Sequence, residues 1–434
     1  MPEIRPFAGI RYNPEKISDL STVVAPPYDV IDPGQHADLL ARSPYNCVQL
    51  ILGTEPGTHG GYEEGSDRMK EWQSSDILIN DDTPCYYLVE DSFQLTGEDS
   101  LRRRWGIIAR IRLEPLDSGR IHPHERTHLG PKEDRLRLMH AYGGNLSQIF
   151  ALFDGDAGAV REILADIFAS DPMVDLVDPD DIGRKMWVIS DPSIVERITE
   201  LLSNRDFYIA DGHHRYETAL NYSNEKSEAD PDPDPDKDYN FVMMTLVGME
   251  DPGLAILPTH RHLYGFESFD YQKLLDCLSD LFEIKDLAPE MEESLRSGHS
   301  PTGGGGRGFF LYDPASDQFS RAVLKPDADL EKEMPDLPAA VRTLDVTLAE
   351  RLLMIRCLDM TPEQISHQEH LEYFKDVSNA INRARSGGQA LILMNPTGMD
   401  DLVAVTQAGQ RMPQKSTFFY PKLLTGLVYY IHNR

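Results

Sequence analysis

Phe207-Tyr208-Ile209-Ala210-Asp211-Gly212-His213-His214-Arg215 is the stretch on which the fold turns. Four successive apolar residues read as a buried strand. Gly212 permits a tight turn and close approach of a ligand to the backbone. The residues after it open a helix on which Tyr216, Ala219 and Leu220 share one face, expected to be the buried one. A helix that starts this way presents unpaired amide N–H groups and the positive end of its dipole, which suits a phosphate. His213, His214 and Arg215 fill the first turn around such an anion, and Asp211 could hold a magnesium ion bridging phosphate oxygens. Two other readings stay open. Asp211 can be a plain N-cap with incidental histidines. A zinc site is the other, although adjacent helical residues point roughly 100° apart and lack the i, i+4 geometry of a helical histidine pair.

Upstream, Met186-Trp187-Val188-Ile189 reads as a strand, and Asp191 caps a helix that opens at Pro192. Val160 to Phe168 reads as a further helix. Closer to the N-terminus, Val48-Gln49-Leu50-Ile51-Leu52, Tyr86-Tyr87-Leu88-Val89 and Trp105 to Ile111 read as strands, with a short helix over Ser66 to Ser74. Downstream, Asn224 to Asp238 repeats Asp-Pro and reads as a mobile acidic loop before a buried strand at Phe241 to Val247. Gly303-Gly304-Gly305-Gly306 has no Lys-Ser or Lys-Thr ending, so it reads as a linker or hairpin tip rather than a P-loop. The last portion predicts helices at Asp345 to Cys357 and Tyr373 to Arg385, a strand at Ala390 to Met394, and a helix from about Thr397 to Gly409. It closes on the apolar run Leu423 to Ile431.

A chain of 434 residues exceeds one core. The expected division is an N-terminal α+β domain at 1–155, a segment at 156–265 carrying the Asp-Gly-His-His-Arg turn, and a C-terminal α/β domain at 266–434. No apolar run is long enough for a transmembrane helix, and Met1 to Ile10 lacks the apolar centre of a signal peptide. A cytoplasmic protein without membrane association is therefore expected. Cys47, Cys85, Cys277 and Cys357 form no Cys-x-x-Cys pair, and four buried reduced thiols are expected. The formal charge of −30 repels a phosphate backbone and argues against nucleic acid as a partner, although local patches such as Arg102-Arg103-Arg104 survive.

Two further clusters carry chemistry. Ile121-His122-Pro123-His124-Glu125-Arg126-Thr127-His128 packs three histidines, a carboxylate and an arginine into one loop before a helix starting at Pro131. Glu125 is the candidate to take a proton from an attacking hydroxyl; a solvated polar loop is the alternative. Lys415-Ser416-Thr417 sets an amine beside two hydroxyls, a plausible phosphate contact without Walker spacing. His260-Arg261-His262 reads as a surface turn.

Phe207 to Leu220 resembles the strand-Asp-Gly-helix box of the ParB/sulfiredoxin-like superfamily, and its double histidine is closest to the free serine kinase branch. Pro123-His124-Glu125 is similar to that branch's catalytic-glutamate loop, and Asn395-Pro396-Thr397 with Met412 to Thr417 is similar to its C-terminal Lys-Ser/Thr segment. From end to end the chain resembles a large bacterial ParB-like family, through Ala25-Pro26-Pro27-Tyr28-Asp29-Val30, His124-Glu125, Asp134-Arg135-Leu136, Asp211 to Arg215 and Met412 to Lys422. The resemblance implies an α+β fold with mixed sheets: a ParB/sulfiredoxin-like nucleotide-binding core plus additional α/β elements. It also implies a nucleotide-dependent phosphotransferase acting on a small hydroxyl-bearing metabolite, with ADP, ATP or CTP as donor and magnesium as cofactor. Glu125, Asp211 and His213 would be catalytic. Gly212, His214, Arg215, His124, Arg126, Lys415, Ser416 and Thr417 would bind nucleotide or substrate. Two alternatives belong to the same resemblance. One is a nucleotide-binding regulatory or DNA-associated protein without kinase activity. The other is a metal-dependent nuclease built on Asp211, Asp29 and Glu125.

Overall fold

In the computed structural model, which describes residues 3–57, 59–116, 119–125, 129–203, 205–301 and 306–432, the strand Phe207–Asp211 lies second from one edge of a nine-stranded sheet. It runs parallel to Ile121–Pro123 at the edge and antiparallel to Ile149–Phe153 on its inner side. Phe241–Gly248 follows, parallel to Ile149–Phe153 and antiparallel to Arg102–Arg112. Tyr86–Phe93, Gly183–Ile189 and Val174–Val177 continue outward, all antiparallel. The sheet is thus mixed, as expected. Strands from both sides of residue 155 enter it.

Its central strands are apolar without alternation because both faces are covered. Phe207, Ile209, Ile149 and Ala151 point into one core with Tyr216, Ala219 and Ile198 from the helices His213–Ala229 and Pro192–Leu202. Tyr208, Ala210, Phe150 and Leu152 point the other way, into a core shared with the C-terminal portion. That portion carries a six-stranded sheet whose central strands are Gly308–Asp313, Ala390–Leu393 and His260–Leu263. The apolar run Leu423 to Ile431 does not stay with that sheet. Leu424, Leu427 and Val428 pack beside Phe7 and Tyr87, Tyr429 packs beside Tyr12, and Tyr430–Ile431 pairs with Gly144–Asn145. The tail thereby fills the N-terminal core.

Several local expectations are corrected. Val48–Ile51 is a buried helical turn rather than a strand: its apolar run is covered on all sides, and periodicity cannot separate a buried strand from a buried helix segment. The helix expected from Tyr373 splits into a strand, Leu371–Phe374, and a helix, Val377–Arg385, capped by the Asp376 carboxylate. The acidic stretch after Asn224 continues the preceding helix as far as Ala229 before it loops. Leu220 is half-buried, whereas Tyr216 and Ala219 are buried. The helix after Glu125 begins at Leu129. His260-Arg261-His262 is not a surface turn but a buried strand that pairs on both sides, with Leu371–Phe374 and Ala390–Leu393. Cys47 and Cys85 are buried thiols, but Cys277 and Cys357 form a disulfide. The fold brings the helix Tyr271–Leu278 against the end of the helix Ala349–Cys357, a pairing across 80 residues that no local spacing announces. Gly303, Gly304 and Gly305 lie outside the described residues. Among the described residues no helix is long and apolar enough to cross a membrane.

Candidate functional site

Asp211 ends its strand where the register with Phe150 shifts, and Gly212 follows at φ +91°, in the left-handed region. No side chain caps the helix His213–Ala229, so its first N–H groups are left to a ligand or water. The Arg215 side chain folds back over Gly212, with Nε 3.0 Å from where a Cβ would stand. There it donates to the Gln148 carbonyl and, at 3.2 Å, to Asp211 Oδ2. Lys422 Nζ sits 3.1 Å from Asp211 Oδ1. Burial pushes the Asp211 carboxyl up, but Lys422 and then Arg215 outweigh it and hold the group well below the usual carboxylate range.

Contacts between backbone and side chains tie the other two clusters to this turn. His124 is buried. Its Nδ1–H donates to the Ile209 carbonyl at 2.7 Å, which leaves Nε2 to accept from the Thr417 hydroxyl at 2.8 Å. Its backbone N–H donates to His213 Nε2 at 3.2 Å, and its carbonyl accepts from Met412 N at 2.8 Å. Burial lowers His124 to about 4 and drives His213 well below its ordinary value, so both imidazoles are neutral at pH 7. Glu125 forms a parallel bridge with Met412, and its Oε1 accepts the Lys415 backbone N–H at 3.1 Å. Burial raises the Glu125 carboxyl more than the Lys415 N–H and the charges of Lys415 and Lys422 lower it; Asp211 adds to the rise. Lys415 itself is held at φ +56°, an uncommon backbone for a non-glycine residue and one that concentrates at functional sites.

Glu125, Asp211 and the Lys415–Thr417 loop therefore share one neighbourhood. Ser416 is buried and spends its hydroxyl on the Pro413 carbonyl at 2.6 Å. His213 faces inward, its ring 4.6 Å from that of His124, so it is engaged with protein. His214 is half-buried in the first helical turn. Arg126 lies outside the described residues. Both oxygens of Asp211 are occupied by cations, and among the described residues no group of three His, Cys, Asp or Glu gathers as metal ligands. These contacts do not fit a magnesium ion held by protein ligands at Asp211.

Two cations escaped the reading of the sequence. Lys422 belongs to the tail that returns to the N-terminal core, and Lys375 follows the strand Leu371–Phe374. Their ammonium groups stand 4.4 and 3.4 Å from the centre of the Phe418 ring. Desolvation in the cleft, then repulsion from Lys422 and Lys415, depresses Lys375 to about 8. Lys422 and Lys375 line a cavity of about 230 Å³ together with Arg42, Phe418 and Tyr420. Lys375 sits in no recognisable motif, and Lys422 stands at the end of the Met412 to Lys422 stretch that resembles the ParB-like family, with no role of its own in that resemblance.

The family model described as "Protein of unknown function (DUF1015)" matches residues 4–347. The chain belongs to the DUF1015 family. No curated protein matches the sequence. Among solved structures, it is similar to a free serine kinase mutant in complex with ADP (12% identity, 72% of this chain and 87% of that chain, TM-score 0.34). It is also similar to a conserved hypothetical protein from Pyrococcus furiosus (12%, 76% and 95%, 0.33). A third is SbnI with a C-terminal truncation from Staphylococcus aureus (12%, 73% and 86%, 0.33).

Proposed function

We propose that this DUF1015 protein is a nucleotide-dependent phosphotransferase acting on a small hydroxyl-bearing molecule, with ADP, ATP or CTP as donor. The observation that carries the reading is the meeting of a proton-accepting carboxylate with a cluster of cations beside an uncapped helix start. Glu125, raised by burial, is held by the N–H of Lys415, 290 residues away, while Lys422, Lys375 and Arg215 gather around Asp211 and Phe418. In a chain of net charge −30, Lys422 and Lys415 stand close enough to Lys375 to depress it, and an anionic occupant would offset that repulsion.

In this reading the nucleotide phosphates rest against the N–H groups of the helix His213–Ala229 and the ammonium groups of Lys422, Lys375 and Lys415. The Glu125 carboxylate takes the proton of the acceptor hydroxyl as its oxygen attacks the terminal phosphorus. The bond from that phosphorus to the bridging oxygen breaks, and its electron pair stays on the departing nucleotide, where the lysines stabilise the charge. Asp211 anchors Lys422 and Arg215 and touches no reacting atom; it is a positioning residue. His124 holds the Thr417 hydroxyl and, through its carbonyl and N–H, fixes the Glu125 loop to Met412 and His213. No step is routed through a metal.

The test uses ADP, ATP and CTP labelled in the terminal phosphate, incubated with the protein and a metabolite pool, with and without magnesium. Wild type should transfer or hydrolyse at least one of them. Glu125→Gln should lose about 10²–10⁴ in kcat, the range for removing a general base, and keep nucleotide affinity within about threefold, because the carboxylate is not proposed to touch phosphate. If wild type turns over none of the three nucleotides, the reading is wrong.

A further inference from the structure

The loop that delivers Lys415 borders a second cavity, of about 240 Å³, which neither Glu125 nor Asp211 lines. Its walls include Thr347, Glu350 and Arg351 from consecutive helical turns, Asp336, and the segment Arg411–Gln414. Two features mark it as more than a packing gap. Thr347 is fully buried, and its hydroxyl has no hydrogen-bond partner, although a helical threonine can usually satisfy itself on a carbonyl one turn back. From Ala349 to Cys357 the helix widens into a π-helix, a rare geometry that recurs at functional sites.

The chemistry of the walls narrows the occupant. Arg351 and Asp336 pair at 2.7 Å, and Glu350 and Arg411 add one charge of each sign. A simple anion would face two carboxylates, and a simple cation two guanidinium groups. A molecule with both charges meets a partner at each end and can offer the Thr347 hydroxyl an acceptor or a donor. The cavity is below the roughly 300–1,000 Å³ of sites for drug-sized ligands, so the occupant is small.

A line of contacts connects this cavity to the candidate catalytic carboxylate. Arg261 is 2% exposed. Its guanidinium donates to the Thr259 carbonyl and, at 3.4 Å, to the Lys415 carbonyl. Lys415 in turn gives its N–H to Glu125. Met412, on the cavity wall, bridges Glu125 and gives its N–H to the His124 carbonyl, so an occupant that shifts the 411–414 wall also shifts the Lys415 peptide that follows it.

We propose that this cavity is a regulatory site for a small zwitterion of the α-amino-acid or betaine type, whose binding adjusts the Lys415 peptide against Glu125. The binding stands on the cavity alone; only its effect on turnover rests on the phosphotransferase reading. The full-length protein is titrated calorimetrically with the twenty common amino acids and glycine betaine, with acetate and methylammonium as single-charge controls. Hydrogen exchange is followed over residues 411–415. At least one zwitterion should bind at least tenfold more tightly than either control and slow exchange in that segment. Thr347→Val, nearly isosteric, and Glu350→Gln should each weaken it about tenfold. The proposal is overturned if no zwitterion in the panel binds, if both variants bind as wild type does, or if protection falls outside 411–415. Nucleotide titration of the same samples separates the two readings: its failure would sink the phosphotransferase and leave the zwitterion result standing.

Discussion

Lys375 offers a test that depends on the geometry of the cation cluster and not on knowing the acceptor. Desolvation, Lys422 and Lys415 hold it at about 8, against an ordinary lysine value of about 10.4. A nucleotide phosphate placed among these lysines would restore the charged form, so binding and protonation are linked. The sign follows. Free protein gives up the Lys375 proton as pH rises through about 8, bound protein keeps it to about 10.4, and affinity must fall between those values. With both values as stated, ATP should bind about 25-fold more weakly at pH 9.5 than at pH 7, about twofold of it by pH 8 and about 14-fold between pH 8 and 9.5. The phosphates are fully ionised through that upper range and add no slope of their own. The assay is isothermal titration of ATP into wild type and Lys375→Arg at a fixed ionic strength of about 0.15 M. Arginine stays charged throughout, so the variant should bind at pH 7 within a few-fold of wild type and lose most of the pH dependence. A flat wild-type profile, or an equal slope in both proteins, would refute the placement of phosphate at this cluster.

Other outcomes follow from the same contacts. Lys422→Met leaves the half-buried Asp211 with Arg215 as its one remaining cation partner among the described residues, and should cost about 1–3 kcal/mol in urea unfolding at neutral pH, the usual penalty for an under-satisfied buried polar group. Because the Asp211 carboxyl is depressed in the folded protein, that difference should hold from pH 7 to about 5, above the unfolded value of about 3.9, and shrink only as pH falls further, towards the folded value. Cys277→Ser removes a link across 80 residues and should lower stability by roughly 2–4 kcal/mol, with wild type in reductant falling towards the variant in thermal unfolding. Equal melting temperatures with and without reductant would show that the link does not form in solution.

What the sequence determined by itself was local. Phe207 to Ala210 had to be buried because four apolar residues precede a turn, and Gly212 had to break the strand because its left-handed φ of +91° is open to glycine at little cost. Asp191 capped its helix as read, accepting the N–H groups of Ser193 and Ile194. The candidate acid–base and phosphate residues were legible for the same reason: Glu125, Asp211 and Lys415 stand in polar turns between apolar segments, where side chains reach a ligand without disturbing a core.

Only the tertiary structure decided how those turns combine. One apolar tail, Leu423 to Ile431, carries no sign of its destination, and its return to the N-terminal core is what sets Lys422 against Asp211. The Cys277–Cys357 bond and the burial of His260-Arg261-His262 are likewise set by partners far along the chain. Hydrogen-bond geometry and side-chain periodicity act within a few residues and leave their mark on the sequence. Packing between distant segments is governed by how much apolar surface each can hide, which many sequences satisfy equally. The Asp211 turn is therefore written in its own nine residues, while the cations that would make it a phosphate site are supplied by the fold.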